Sequence, residues 1–157
     1  MHSSKRLILV VCLTLALSAC WGKKAKVKQA PEPARVVMEF QAGSDVNPNP
    51  EGRSSPLVLR VYELKSPSHF QKADFLALYE KDQDTLGKDL LRKEEITINP
   101  NEKRTLYFEP TDKTHAVGVF AALRQYDGGQ WRVAADVEPN KFLLLHIWVS
   151  GTSIKIQ

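Results

Sequence analysis

The chain has 157 residues, a formal net charge of +4, 43% hydrophobic and 25% charged side chains, which fits a single globular domain and excludes a disordered chain. Residues 1–19 hold Lys5 and Arg6 and no acid, leaving 20 basic against 18 acidic side chains in the rest, a balance that gives no reason to invoke nucleic acid. Only Cys12 and Cys20 are cysteines, so a disulfide framework and a cysteine-ligated zinc site are excluded beyond residue 20.

The amino terminus reads as an address. Lys5-Arg6 precedes an apolar run of eleven residues, Leu7–Leu17, too short for the ~20 residues of a membrane-spanning helix and right for a signal peptide. It ends in Leu17-Ser18-Ala19-Cys20, which resembles the lipobox of bacterial lipoproteins. There the cysteine thiol is diacylated and the new amino terminus takes a further acyl chain such as palmitate. Residues 1–19 are therefore expected to be removed, with Cys20 as the lipidation site. Residue 21 is Trp rather than Asp, which by resemblance to Gram-negative lipoprotein sorting points to the outer membrane, facing the periplasm. Residues 20–34 follow as an acylated flexible tether, with Lys23, Lys24, Lys26 and Lys28 before Pro31 and Pro33. A segment of about fifteen residues reaches at most ~50 Å extended and averages ~20 Å as a coil.

From residue 35 to 157 the pattern is mostly of period two. Val36, Met38 and Phe40 alternate with Val37, Glu39 and Gln41, predicting a half-buried strand. A loop from Ala42 to Ser55 leads to Pro56–Leu64, apolar on both faces and so placed centrally in a sheet, where Arg60 needs a partner or an exit to water. Phe75, Leu78 and Tyr79 at helical spacing after Asp74 predict a short helix over 74–82, with a lesser turn near Phe70 and a helix end at Thr85-Leu86-Gly87. Strands are predicted at 90–98, 103–109, 116–126, 131–137, 141–150 and 153–157. Asn99-Pro100-Asn101-Glu102, Asp127-Gly128-Gly129-Gln130 and Gly151-Thr152 supply the turns. The fold class is mainly β, a two-sheet β-sandwich with a short helical insertion.

The chemistry is thin. His69, His115 and His146 lack ligand spacing, and no Gly-x-Ser-x-Gly elbow occurs. Asp82-Gln83-Asp84-Thr85-Leu86-Gly87 begins like a calcium loop, but Leu86 takes the fifth position and Lys93 the twelfth, where oxygen ligands are required. Neither a metal nor a cofactor is expected, and nothing pairs a nucleophile with a base, so no enzyme is expected. Trp131, Tyr126 and Trp148 are read as core anchors, with a sugar-stacking platform as the other reading.

Several segments carry a resemblance: Asn47–Leu64, Phe70, Ala73-Asp74-Phe75, Leu78, Asp82, Leu86–Leu91, Gly118–Arg124 and Trp131-Arg132. In this order behind a lipobox, over roughly residues 36–135, they resemble the TssJ family, the outer-membrane lipoprotein of the type VI secretion system. The chain departs at Pro100-Asn101, where the family usually has Pro-Gly; asparagine also tolerates the left-handed conformation. The resemblance implies a transthyretin-like sandwich without enzymatic activity. It also implies binding to the periplasmic domain of TssM, which associates with TssL in the membrane complex. The implied partner-binding element is the loop Gly43–Ser55, with Asn47, Asn49, Glu51, Gly52, Arg53 and Ser54 as its candidate residues.

The residues support that loop on their own account. Its thirteen residues exceed what a hairpin needs, and long loops on a rigid scaffold are often functional. Arg53 has two readings, a hydrogen-bond fork for a partner or a bond within the fold. A periplasm-facing lipoprotein that binds a glycan or a small hydrophobic ligand is the alternative, and it requires a concave, aromatic-lined pocket.

Overall fold

The computed structural model describes residues 34–157; the expected signal peptide, Cys20, Trp21 and the tether to residue 33 lie outside the described residues. Eight strands are described: β1 (Arg35–Ala42), β2 (Leu57–Leu64), β3 (Leu90–Ile98), β4 (Lys103–Phe108), β5 (Ala116–Ala121), β6 (Arg132–Asp136), β7 (Phe142–Ser150) and β8 (Ser153–Ile156). Between β2 and β3 come two helices, α1 (Ser68–Lys72) and α2 (Phe75–Leu86), and a single 3₁₀ turn, Gly87–Asp89. One sheet has the order β4-β1-β7-β8 and the other β3-β2-β5-β6, so the expected two-sheet sandwich is present.

Strand β1 sits inside its sheet, antiparallel to β4 and parallel to β7, with Arg35 opposite Phe142 and Ala42 opposite Val149. Its alternation decides the faces: Val36, Met38, Phe40 and Ala42 are buried between the sheets, while Arg35, Val37, Glu39 and Gln41 point outward. Leu57, Leu59 and Val61 of β2 meet them from the second sheet, with Val117, Val119, Leu145, Ile147 and Val149.

The second sheet is covered on its other face as well. Tyr62, Leu64, Ala116 and Phe120 pack against Phe70 of α1 and Phe75, Leu78 and Leu86 of α2, forming a second core. This explains the doubly apolar sequence of β2. Gly118 makes the layer possible, because a Cβ there would lie 2.8 Å from the Phe70 ring. Trp131 and Tyr126 join this layer: Tyr126 stacks on Phe75 with centroids 4.0 Å apart, and Trp131 meets Phe75 and Phe120 edge-on.

Helix α2 fills the expected segment and runs on to Leu86, ending at Gly87 where the Thr85-Leu86-Gly87 signal placed a helix end, and is interrupted at Lys81 (φ −147°, ψ 51°). Asp74 caps it as predicted, its side chain accepting from the Ala77 amide at 2.8 Å. The interruption has a partner in the sheet: Nη1 of Arg60 donates to the carbonyls of Leu78 and Tyr79, each at 2.9 Å. Its Nε donates to Glu95 at 2.9 Å. The predicted need of Arg60 for a partner is thus met by a helix end. Arg132 does the same for α1, donating to the carbonyls of Phe70 and Ala73.

Asp82, on the far side of the interruption, is buried and accepts from the Tyr62 hydroxyl at 2.9 Å and from Lys93 Nζ at 3.0 Å. The residue read from sequence as a failed calcium ligand is an internal tie between α2, β2 and β3. Burial pushes its carboxyl pKa up. The hydrogen bonds from Lys93 and Tyr62, with the charges of Lys93 and Arg60, outweigh burial and hold it below the ordinary 3.8. Burial and the neighbouring Asp82 raise the Tyr62 hydroxyl far above its usual range, so it stays a donor. Strand β5 ends at Ala121 rather than at the expected residue 126. Ala122 N still binds the Val58 carbonyl of β2 in register, and the chain then turns away: Leu123 N binds the Ala121 carbonyl and Arg124 N the side chain of Asn47.

A carboxylate whose folded pKa is depressed stabilises the fold above its unfolded pKa and stops doing so as pH falls through the folded value. The unfolding free energy is therefore expected to fall on acidification below about pH 4. Asp82→Asn should be less stable at neutral pH and flatter across that acid window, as urea unfolding at a series of pH values will read.

Candidate partner-binding site

The loop from Gly43 to Ser55 leaves the carboxyl end of β1 and is built in two parts. Its base is fixed. Gly43 N donates to the Val149 carbonyl at 2.7 Å, Asn47 N to the Gly151 carbonyl at 2.9 Å and Ser55 N to the Val46 carbonyl at 3.0 Å. Val46 is fully buried and plugs this end of the core. Asp45 accepts from the Ser150 hydroxyl at 2.9 Å, tying the base to the β7–β8 turn.

Asn47 is the central pin. It is buried and adopts a left-handed φ of 49°, which asparagine tolerates better than most residues. Its Nδ2 donates to the Pro56 carbonyl at 2.9 Å, and its Oδ1 accepts from the Arg124 amide at 2.9 Å. Both ends of the loop and the β5–β6 connection therefore converge on one amide side chain. This places Asn47 in the framework, whereas it was expected among the contact residues; its side-chain amide has both its atoms engaged within the fold.

Asn49 performs a related task nearer the tip. Its amide donates to the Arg53 carbonyl at 2.8 Å, its carbonyl accepts from Gly52 N at 2.9 Å, and its Oδ1 accepts from Arg53 N at 2.8 Å. The result is a tight turn over Pro50 and Glu51, closed by Gly52 at φ 78°, a conformation that glycine adopts without a Cβ penalty. Glu51, Gly52, Arg53 and Ser54 are all exposed. Arg53 is held through its backbone alone, and its guanidinium makes no ion pair or hydrogen bond among the described residues.

Of the six candidates, four thus form the exposed tip and two shape it. Sequence reasoning missed the neighbouring connection, where exposed Arg124 and Gln125 follow Leu123 beside the loop. The turn signal Asp127-Gly128-Gly129 marked that connection, but only the Asn47–Arg124 bond shows which end of the sandwich it joins.

The other chemical candidates disperse. His69 lies 2.5 Å from Asp89 and His146 lies 3.1 Å from Glu39, at separate places. Among the described residues no group of three metal-capable side chains converges. The three aromatics of the sugar-platform reading are not brought together. Trp131 and Tyr126 pack under α2, whereas Trp148 alternates with buried Ile147 and Val149 and faces outward from the other sheet. Trp148 therefore departs from the expectation of a core anchor. It borders a cavity of about 380 Å³ whose other lining includes Glu39, Lys103, Arg104 and His146, a polar groove in which Phe40 also takes part but is buried on the core side of β1.

A rigid sandwich that fixes the base of one loop and leaves its tip exposed is a scaffold built like an interaction protein. Comparison with known proteins gives its family. Residues 34–153 match the family described as type VI secretion lipoprotein, VasD, EvfM, TssJ. The lipoprotein TssJ1 from Pseudomonas aeruginosa is 36% identical with a TM-score of 0.76, covering 80% of this chain and 95% of its own. Serratia marcescens Lip, a membrane-bound component of the type VI secretion system, shares the fold at 23% identity with a TM-score of 0.72, covering 78% and 96%. A chain of a structure described as the TssM C-terminal domain (869–1107) from EAEC matches at 25% identity, TM-score 0.68, over 78% of this chain and 99% of that one. Among curated protein sequences none matches. The chain belongs to the TssJ family of type VI secretion lipoproteins. It is a structural lipoprotein of the type VI secretion system, not an enzyme.

Replacing Asn47 with Ala removes two buried hydrogen bonds and leaves the Arg124 amide without its acceptor, a loss of about 1–3 kcal/mol. Urea unfolding is expected to show that loss, and hydrogen exchange should show reduced protection at the Arg124 amide.

Proposed function

We propose that acyl chains on Cys20 hold this domain at the periplasmic face of the outer membrane, and that the tip of the 43–55 loop captures the periplasmic domain of TssM. TssL then joins indirectly, through its association with TssM. The observation that carries this reading is the division of the loop into a pinned base and a tip at which Glu51 and Arg53 are exposed. The likeness to a chain in a structure described for the TssM C-terminal domain supports the choice of partner. One acyl chain binds a bilayer marginally, whereas two or more make the attachment effectively stable. Residues 21–34 give the domain its reach, and the work done is mechanical: a load on the loop is returned to the membrane through β1 and the tether.

The test is a calorimetric titration of the domain with the periplasmic C-terminal region of the TssM encoded beside it. Saturable binding is expected. Glu51→Ala, Arg53→Ala and Ser54→Ala combined should weaken it at least tenfold, about 1.4 kcal/mol, with an unchanged thermal midpoint. Equal binding by the triple variant would place the contact elsewhere.

The anchor has its own test. Cys20→Ser is expected to release the protein from the outer-membrane fraction while leaving the circular dichroism spectrum of the sandwich unchanged. A variant that still sediments with the outer membrane would refute the assignment of Cys20.

A further inference from the structure

The outer face of the sheet β4-β1-β7-β8 carries a feature that the partner loop does not use. Tyr107, Phe142 and Leu144 are 72%, 64% and 41% exposed, and pairing sets them side by side. Val37 lies opposite both Tyr107 and Leu144, and Arg35 lies opposite Phe142. All belong to the half of the sheet where β1 begins. The loop is attached to the other end of β1, some 25 Å away at ~3.3 Å per residue.

We infer that this patch is a second, non-covalent membrane contact: Tyr107, Phe142 and Leu144 rest in the phospholipid headgroup–acyl boundary while the loop points into the periplasm. The inference rests on the reading of Cys20 as the acylated residue. Three observations favour lipid as the occupant. The chain enters the patch at Arg35, only fifteen residues after Cys20, so the patch can lie no more than ~50 Å from the acylated residue however the intervening chain is arranged. The side chains are two aromatics and a leucine, the types that suit a half-wet interface. The exposed apolar area of three such side chains is on the order of 300 Å², too little for a stable second copy, which needs about 600 Å² or more per partner. A tethered contact needs far less, because binding is already intramolecular.

The charges at this end balance, with Arg35, Lys113 and Lys141 against Glu109, Asp112 and Glu138. The contact is therefore apolar in character, and salt should leave it in place. Its consequence is orientation. Anchored by the tether alone, the domain would tumble at the membrane; seated on the patch, it presents the 43–55 loop away from the lipid.

The acylated protein would be reconstituted in vesicles of phosphatidylethanolamine and phosphatidylglycerol. No cysteine other than Cys20 is present after residue 19, so Lys141→Cys and Ser54→Cys each give one thiol for a polarity-sensitive fluorophore. Lipid-borne quencher is expected to quench the label at residue 141 several-fold more than the label at residue 54, at low and high salt alike. Replacing Tyr107, Phe142 and Leu144 together by Ser should bring the two labels level; Tyr107→Ser alone, at the most exposed position, should reduce the difference if the triple variant does not fold. Equal quenching of both labels in protein that floats with the vesicles overturns the patch but not the anchor. Shielding of residue 141 from both lipid-borne and aqueous quencher means that a second copy or the chain's own tether covers the face, and also overturns it. Protein that fails to float overturns the anchor reading and this inference with it.

Discussion

Strand β1 is held on both sides, by antiparallel pairing to β4 and by parallel pairing to β7 along its whole length. Its buried face supplies Val36, Met38, Phe40 and Ala42 to the central core. Pulling this strand from the sheet would break both ladders and open the core together. The same strand connects directly to both ends of the proposed assembly, since the chain from Cys20 enters it at Arg35 and the 43–55 loop follows Ala42. On that proposal, a load applied at the loop and resisted at the membrane runs along a single covalent strand. The hydrogen bonds to β4 and β7 keep that strand in place without themselves lying in series with the force. The parallel β1–β7 pair, with β4 on the other side, is what leaves β1 interior here.

The second sheet solves a different problem. Apolar side chains on both faces of β2 require cover on both sides, and α1 and α2 provide it on the side away from β1. Two short helices with broken ends leave carbonyls unpaired, which is costly when they are half-buried. Arg60 and Arg132 reach up from the sheet and satisfy those carbonyls. The charge of Arg60 is then balanced by Glu95 and by Asp82, itself held by Tyr62 and Lys93. Every buried side-chain polar atom among the described residues finds a partner. The network thus serves as attachment for the helical layer. It keeps the sheet that frames the β5–β6 connection rigid, and through Arg124 that connection supports the loop.

How much of this was legible in the sequence depended on the range of the interaction. Period-two alternation in β1 and β7, the Asp74 cap and the turn at Asn101, which adopts φ 63°, follow from local chemistry and were readable. The exposed tip was readable too, because Pro50, Glu51 and Gly52 form a turn from their own preferences. Three features were not. The interruption of helix α2 at Lys81 depends on Arg60, more than twenty residues away in sequence from Asp82, which takes the carbonyls it frees. The strand at 116–126 stops early because Asn47 takes the Arg124 donor across the molecule. Trp148 looked like a core aromatic because size suggests burial; the alternation of β7 already put it on the opposite face from Ile147 and Val149, but only the pairing of β7 inside its sheet shows which of the two faces is the core. In each case the deciding partner is remote in sequence, or the face is set by register rather than by composition.

The pinned loop also bears on how a structural adaptor achieves useful affinity. Fixing one residue's backbone costs about 1–2 kcal/mol, so ordering all thirteen residues of a flexible 43–55 loop on docking would cost well over 10 kcal/mol. A micromolar complex has only about 8 kcal/mol of net binding free energy. Asn47 and Asn49 move most of that cost into folding: the first fixes the base, the second fixes the turn, and Pro48 and Pro50 restrict the chain beside each. What is left to order is the side chains of Glu51, Arg53 and Ser54, at ~0.5–1.5 kcal/mol for each long side chain immobilised. If the loop tip binds a partner as proposed, the two asparagines serve recognition even though one of them is buried and the other faces its own turn. A contact surface of four exposed residues then suffices only because the framework beneath it has already been ordered by the fold.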